Sequence, residues 1–267
     1  MSLFGLGLRP AHYEIILETK PKIDWFEIVS EDYIDRRGTD WGYLEKIRAH
    51  YPVSLHGVSL NIGSSDPLNI DYLKNLKKLI IATEPLFVSD HFCWTGVDKI
   101  NTHDLLPLPY TKEAVDHLVS RVIQTQDFLG RQIMLENVSS YYAFQESEMT
   151  EWEFISAVAN QSDCFILLDI NNIYVNAFNH NYNSQDYLNN IPTSRVKQFH
   201  MAGHKHCQTH IIDTHDSEII APVWDLYVNA VKRFGNIPVI IERDSNIPAL
   251  SELLRELEMA KNISHII

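Results

Sequence analysis

The residues best suited to chemistry crowd into one stretch, "QFHMAGHKHCQTHIIDTHDSEI". Five of the chain's thirteen histidines, His200, His204, His206, His210 and His215, fall there, with Asp213 and Asp216 among them. Imidazole and carboxylate mixed at short spacing is what a zinc, iron or manganese site requires. A polar surface loop would carry the same residues, so the stretch alone leaves both readings open. Where the remaining acids and histidines fall has to decide.

Two kinds of element alternate along the chain. Short runs rich in Val, Ile, Leu or Phe, each followed by polar or turn residues, predict strands: "LFGLGLR", "DWFEIV", "YPVSLHG", "PLFVSDHF", "RQIMLEN", "CFILLDI", "RVKQFHM" and "IPVIIER". Between them apolar residues recur at three- and four-residue spacing, as in Leu73, Leu76, Leu79 and Ile80, or Val115, Leu118, Val119, Val122 and Ile123. A last helix is expected around Leu250, Leu253, Leu254 and Leu257, with Pro248 near its start. Strand–helix alternation implies parallel pairing through right-handed crossovers. Eight strands with eight helical returns is the number that closes a (β/α)8 barrel. The expected fold is therefore α/β, a TIM barrel formed as a single domain over residues 1–267. An open doubly wound sheet competes, but "GLGLRP" has only two glycines and a proline where the dinucleotide fingerprint needs its third.

The strand ends carry the decisive pattern. The third ends in His56, the fourth in Asp90 and His91, the fifth in Glu136 and Asn137, and the sixth in Asp169, with Asn171 and Asn172 just beyond. The seventh ends in His200 and the eighth in Glu242, while the second carries Glu27 close to its end. Any one such carboxylate could simply cap the following helix. Six successive ends of this type converge on one rim of a barrel, where active sites of this fold sit. Burying that many carboxylates together without a cation costs many kcal/mol in repulsion and desolvation. The pattern therefore favours a metal site that includes His200, Asp213 and His215.

Bulk properties bound the partners. Among 267 residues the formal net charge is −13, which argues against a nucleic acid partner, since phosphate-gripping proteins carry a basic excess or stripe. No apolar run approaches the roughly 18 residues of a membrane span, and the N-terminus lacks the basic start of a signal peptide. Cys93, Cys164 and Cys207 are odd in number and share no CxxC spacing, as expected in a reducing, cytoplasmic setting.

The set "SLHG", "SDHF", "MLEN", "LLDINN", "QFHMAGH", "IIDTHD" and "IIERD" resembles the multinuclear non-haem iron-dependent oxidative enzymes, the methanobactin biosynthesis oxidase-like family among the xylose isomerase-like barrels. The resemblance runs from "GLGLR" to "ERD", almost the whole chain. It implies two or three iron ions, with zinc or manganese as possible occupants on purification. It also implies oxidation of cysteine residues in a ribosomally made precursor peptide by O2, helped by a small partner protein that presents the peptide. Laid on the ligand order of a more distant relative, the trinuclear zinc enzyme endonuclease IV, it implies a first metal on His56, His91 and bridging Glu136. Glu136, Asp169, His200 and Glu242 would hold a second. Asn172, Asp213 and His215 would hold a third, with His204 as a further candidate. The third position departs from that relative, which has histidine where this chain has Asn172, and a neutral amide oxygen is the weaker donor. Glu27 and Asp244 are candidates for moving protons, with orienting the ligands as the alternative role. Two other activities share such ligands, a metal-dependent hydrolase of the endonuclease IV type and a sugar isomerase. The four histidines fit the isomerase poorly, because magnesium or manganese there would sit among mainly carboxylates.

Overall fold

The computed structural model describes residues 3–34, 38–98 and 100–266. All eight expected strands are present: Phe4–Gly7 (β1), Trp25–Val29 (β2), Val53–His56 (β3), Val88–His91 (β4), Met134–Glu136 (β5), Phe165–Asp169 (β6), Val196–Met201 (β7) and Val239–Ile241 (β8). Each pairs in parallel with its sequence neighbours, and β8 pairs with β1, so the sheet closes on itself. The strands read as continuous apolar runs because both faces are covered, one by the barrel interior and one by helices. Trp25, Phe26 and Ile28 of β2 and Ile166, Leu167 and Leu168 of β6 are fully buried. Closure brings β1 so near its neighbours that a Cβ on Gly5 would lie 2.7 Å from Ile240 Cδ1 and from Trp25 Nε1. Only glycine fits there.

Helices return the chain between strands. Their starts are set by local chemistry: Thr111 caps Lys112–Leu129, Asn69 caps Ile70–Thr83, and Thr150 with Glu153 forms a reciprocal capping box on Glu151–Ser162. Of the expected stripes, Leu73, Leu76 and Leu79 are buried, as are Val115, Leu118 and Val122, and Leu250, Leu253 and Leu257. Ile123, at the margin of its stripe, is exposed.

Two antiparallel hairpins stand on the rim at the C-terminal ends of the strands. One pairs Trp94–Val97 with Ile100–Leu106, and the other pairs His204–His206 with Ile211–Asp213. The histidine-rich stretch is thus a hairpin, not an open loop. No helix among the described residues is long and apolar enough to cross a membrane.

Candidate metal centre

The parallel register lays the strand ends side by side. His91 pairs with Glu136 across β4 and β5, and Asp169 pairs with His200 across β6 and β7. Glu136 reaches both sides of the resulting cluster. Its Oε2 lies 3.2 Å from His56 Nε2 and 3.4 Å from His91 Nε2, and its Oε1 lies 3.4 Å from His200 Nδ1. Glu242, one residue past β8, places Oε2 3.0 Å from His200 Nδ1 and 3.2 Å from His215 Nδ1. His215 Nε2 is 2.8 Å from Asp213 Oδ1 and 3.6 Å from Asp169 Oδ2. Among the described residues four overlapping groups have donor atoms within 4.8 Å of one another: His56, His91 and Glu136; His56, His200 and Glu242; Glu136, Asp169, His200 and Glu242; and His215, Glu242 and Asp244. All but Asp244 are buried.

The surroundings orient these side chains toward one another. Ser89 Oγ donates its hydrogen to Leu55 O, so it accepts from His56 Nδ1 at 2.8 Å. Burial pushes His56 down against the pull of Glu136, toward the neutral imidazole. Its Nε2 then presents a lone pair, and that lone pair faces the Glu136 carboxylate. Glu136 Oε2 has no hydrogen-bond partner. His200 Nε2 is held 2.6 Å from Glu27 Oε1, which turns Nδ1 to Glu136 and Glu242, and that nitrogen too is without a hydrogen-bond partner.

Asp169 has two roles at once. Its Oδ1 accepts from Asn172 N and caps the helix Ile170–His180, while its buried Oδ2 is unpaired. Asn172 donates its Nδ2 to Asn137 O, which leaves Oδ1 unpaired and buried. Orphaned buried acceptors cost about 1–3 kcal/mol each, and three of them meet here, Glu136 Oε2, Asp169 Oδ2 and Asn172 Oδ1, joined by His200 Nδ1 and His215 Nε2 once those rings lose their extra protons. Cations would satisfy all of them together, and the nitrogen–oxygen donor set suits divalent transition metals.

Charge balance points the same way. Burial alone would raise Glu136, but His200, His91 and His56 overcome it and hold the carboxyl at about 2. Burial would lower His91, yet Glu136 and Asp90 carry it up to about 9. Burial drives Asp169 well above the carboxylate range, toward its neutral form. The protons that balance this cluster are the ones metals displace when such sites fill.

The structure gathers His56, His91, Glu136, Asp169, Asn172, His200, Asp213, His215 and Glu242 at one place. Most of these line, with Asp244, a cavity of about 490 Å³ that opens at the rim. His204 is set apart: its Nδ1 lies 2.7 Å from Asn171 Oδ1 and its ring stacks on Tyr174. Glu27 lies beneath the cavity, accepting from Ser54 Oγ and Gln198 Nε2 as well as facing His200. That placement suits orienting His200 better than exchanging protons with a substrate. Asp244 is half exposed on the cavity wall, 3.3 Å from His215 Nδ1. Sequence reasoning missed Arg9, whose guanidinium lies 2.6 Å from Asp244 and 3.6 Å from Glu242. Its position just past β1 on the same rim was the available signal.

Comparison with known proteins gives one sequence family and one fold. The family model described as RiPP precursor modification enzyme MbnB/TglH/ChrH matches residues 3–265. A UPF0276 protein of Rhizorhabdus wittichii is 47% identical over 266 residues, covering 99% of this chain and 95% of its own. One of Caulobacter vibrioides is 45% identical over 259 residues, covering 97% and 92%. Among solved structures, a D-tagatose 3-epimerase-like protein superposes with a TM-score of 0.63 at 15% identity, covering 99% of this chain and 98% of that one. A xylose isomerase-like TIM barrel protein from Mycobacterium smegmatis, in complex with magnesium, gives 0.59 at 12% identity, covering 96% and 90%. At such identities the likeness establishes the fold, a xylose isomerase-like TIM barrel.

Proposed function

Because the chain belongs to the family of RiPP precursor modification enzymes MbnB/TglH/ChrH, acting on ribosomally made peptides, we propose that it oxidises cysteine residues of such a peptide with O2 at a multinuclear iron centre. The observation that carries the metal centre is the convergence of His56 Nε2 and His91 Nε2 on one unpartnered Glu136 oxygen, with His200 Nδ1 on the other. His56, His91 and Glu136 would hold one ion. Glu136, Asp169, His200 and Glu242 would hold a second, and Asn172, Asp213 and His215 a weaker third. Iron bound there would supply one-electron redox chemistry and Lewis acidity toward sulfur.

The chain's own residues then do the positioning. Glu27 keeps the His200 ring turned, as carboxylates behind histidine ligands do. A cysteine thiol entering the cavity has to lose its proton, and Asp244, a solvent-accessible carboxylate on the wall 3.3 Å from His215, is placed to take it. Arg9, fixed by Asp244 and by Arg243 O, keeps that carboxylate in place. Electrons leave the sulfur and O2 accepts them. A small partner protein presenting the peptide belongs to the same reading and is carried over from the resemblance.

The test is mass spectrometry of a Cys-containing peptide encoded beside this gene, incubated in air with iron-loaded protein. A mass change confined to cysteine residues is expected. An unchanged peptide, together with cleavage of abasic-site DNA by zinc-loaded protein, would transfer the assignment to the hydrolase.

A further inference from the structure

The segment following β5 separates two cavities. Val138, Ser139 and Tyr141 line the metal cavity, whereas Ser140, Tyr142 and Phe144 line a neighbouring one of about 300 Å³. The second cavity is walled largely by aromatic rings, yet it contains one acid, Glu151, which is only 8% exposed. Glu151 Oε1 accepts from Tyr187 Oη at 2.9 Å and Oε2 from Asn176 Nδ2 at 3.0 Å. A carboxylate has about four lone-pair sites, so each oxygen keeps accepting capacity. Among the described residues no Lys, Arg or His pairs with it. His180, on the same wall, is kept neutral by burial and directs Nε2 to Ser140. Tyr182, which also lines the cavity, has a buried hydroxyl with no hydrogen-bond partner.

A buried acid without a cation, in a cavity lined by several aromatic rings and by an unused hydroxyl, is complementary to a positively charged group. Ring faces attract cations, most strongly where water is excluded, and a carboxylate buried alone is stabilised by pairing. We propose that this cavity seats a lysine or arginine side chain of the peptide substrate, between the Glu151 carboxylate and the rings of Tyr110, Tyr142, Phe144, Trp152 and Tyr182. The proposal rests on the reading that the substrate is a peptide. Because the wall between the cavities is one chain thick, a bound peptide can fill both with side chains close together in its sequence. The cavity would then select peptides that carry a basic residue near the cysteine to be modified.

The probes are Nα-acetyl-lysine methylamide and Nα-acetyl-arginine methylamide, with the neutral norleucine analogue as control. They are titrated into the full chain while the Trp152 indole N–H is followed by NMR. At least one cationic probe should saturate this signal, and the norleucine analogue should not. Glu151→Gln and Tyr142→Ala should each weaken the cationic probe by about tenfold, as loss of one charge pair or one cation–ring contact does. Tyr142 is 45% exposed, so its replacement leaves the core intact and decides the question if the Gln variant does not fold. Failure of both cationic probes to bind, equal binding of norleucine, or undiminished binding in the Tyr142 variant would overturn the proposal. None of these readouts needs metal or turnover, so the proposal can stand if no peptide is oxidised, and it can fall while oxidation is observed.

Discussion

Glu136 lies between two groups of donor atoms; its bridging role is carried over from the resemblance, whereas its place at the rim was readable in the sequence because it ends a strand. The same is true of His56, His91 and Asp169, each the last residue of its strand. What was not readable is how they are held. Ser89 behind His56, and Gln198 and Ser54 around Glu27, depend on cross-strand register, which strand-end positions do not specify. Arg9 and Asp244 come together from positions 235 residues apart. Glu136→Gln should lower metal content at both inner positions, because the amide offers one oxygen in place of two; elemental analysis that shows one full equivalent undisturbed would remove the bridging role. Asn172→His should slow loss of the outer metal under mild chelation, since imidazole is the better donor. An unchanged chelation profile would show that Asn172 is not a ligand.

At the scale of elements, the eight strands were legible because burial on both faces demands uninterrupted apolar runs. The hairpins were not. "INTHDLL" and "HKH" lack apolar alternation and become strands only by pairing with a neighbour. The helix Ile170–His180 links site and scaffold through Asn176, which accepts from Ser140 N and donates to Val138 O and Glu151. Asn176→Ala strands these buried groups at about 1–3 kcal/mol each, so a melting temperature several degrees lower is expected. An unchanged value would mean the segment is held by other contacts. Burial raises Glu151 from the ordinary carboxyl value of 4.5 to about 7. The folded state therefore binds its proton more tightly than the unfolded one. Stability from this group is present in full below pH 4.5 and is lost as pH rises toward 7, on the order of 3 kcal/mol across that window. Denaturant titrations of Glu151→Gln should show a flatter pH profile there; a profile parallel to the parent would contradict the buried, unpaired acid.

For the molecule as a whole, a closed barrel with a net charge of −13 brings nine polar side chains to one rim and leaves several buried acceptors unpaired. Family membership establishes peptide modification as the class of activity, and the donor set suits iron; oxidation of cysteine by O2 is the step that most needs measurement. Oxygen uptake by iron-loaded protein, titrated with the neighbouring-gene peptide and with its Cys→Ser counterpart, reads that step directly. Uptake should rise in proportion to the cysteine peptide, stay at background with the serine peptide, and disappear in the Glu136→Gln variant. Uptake indifferent to cysteine, or the same modified peptide formed under argon, would contradict an oxygen-dependent oxidation at this site.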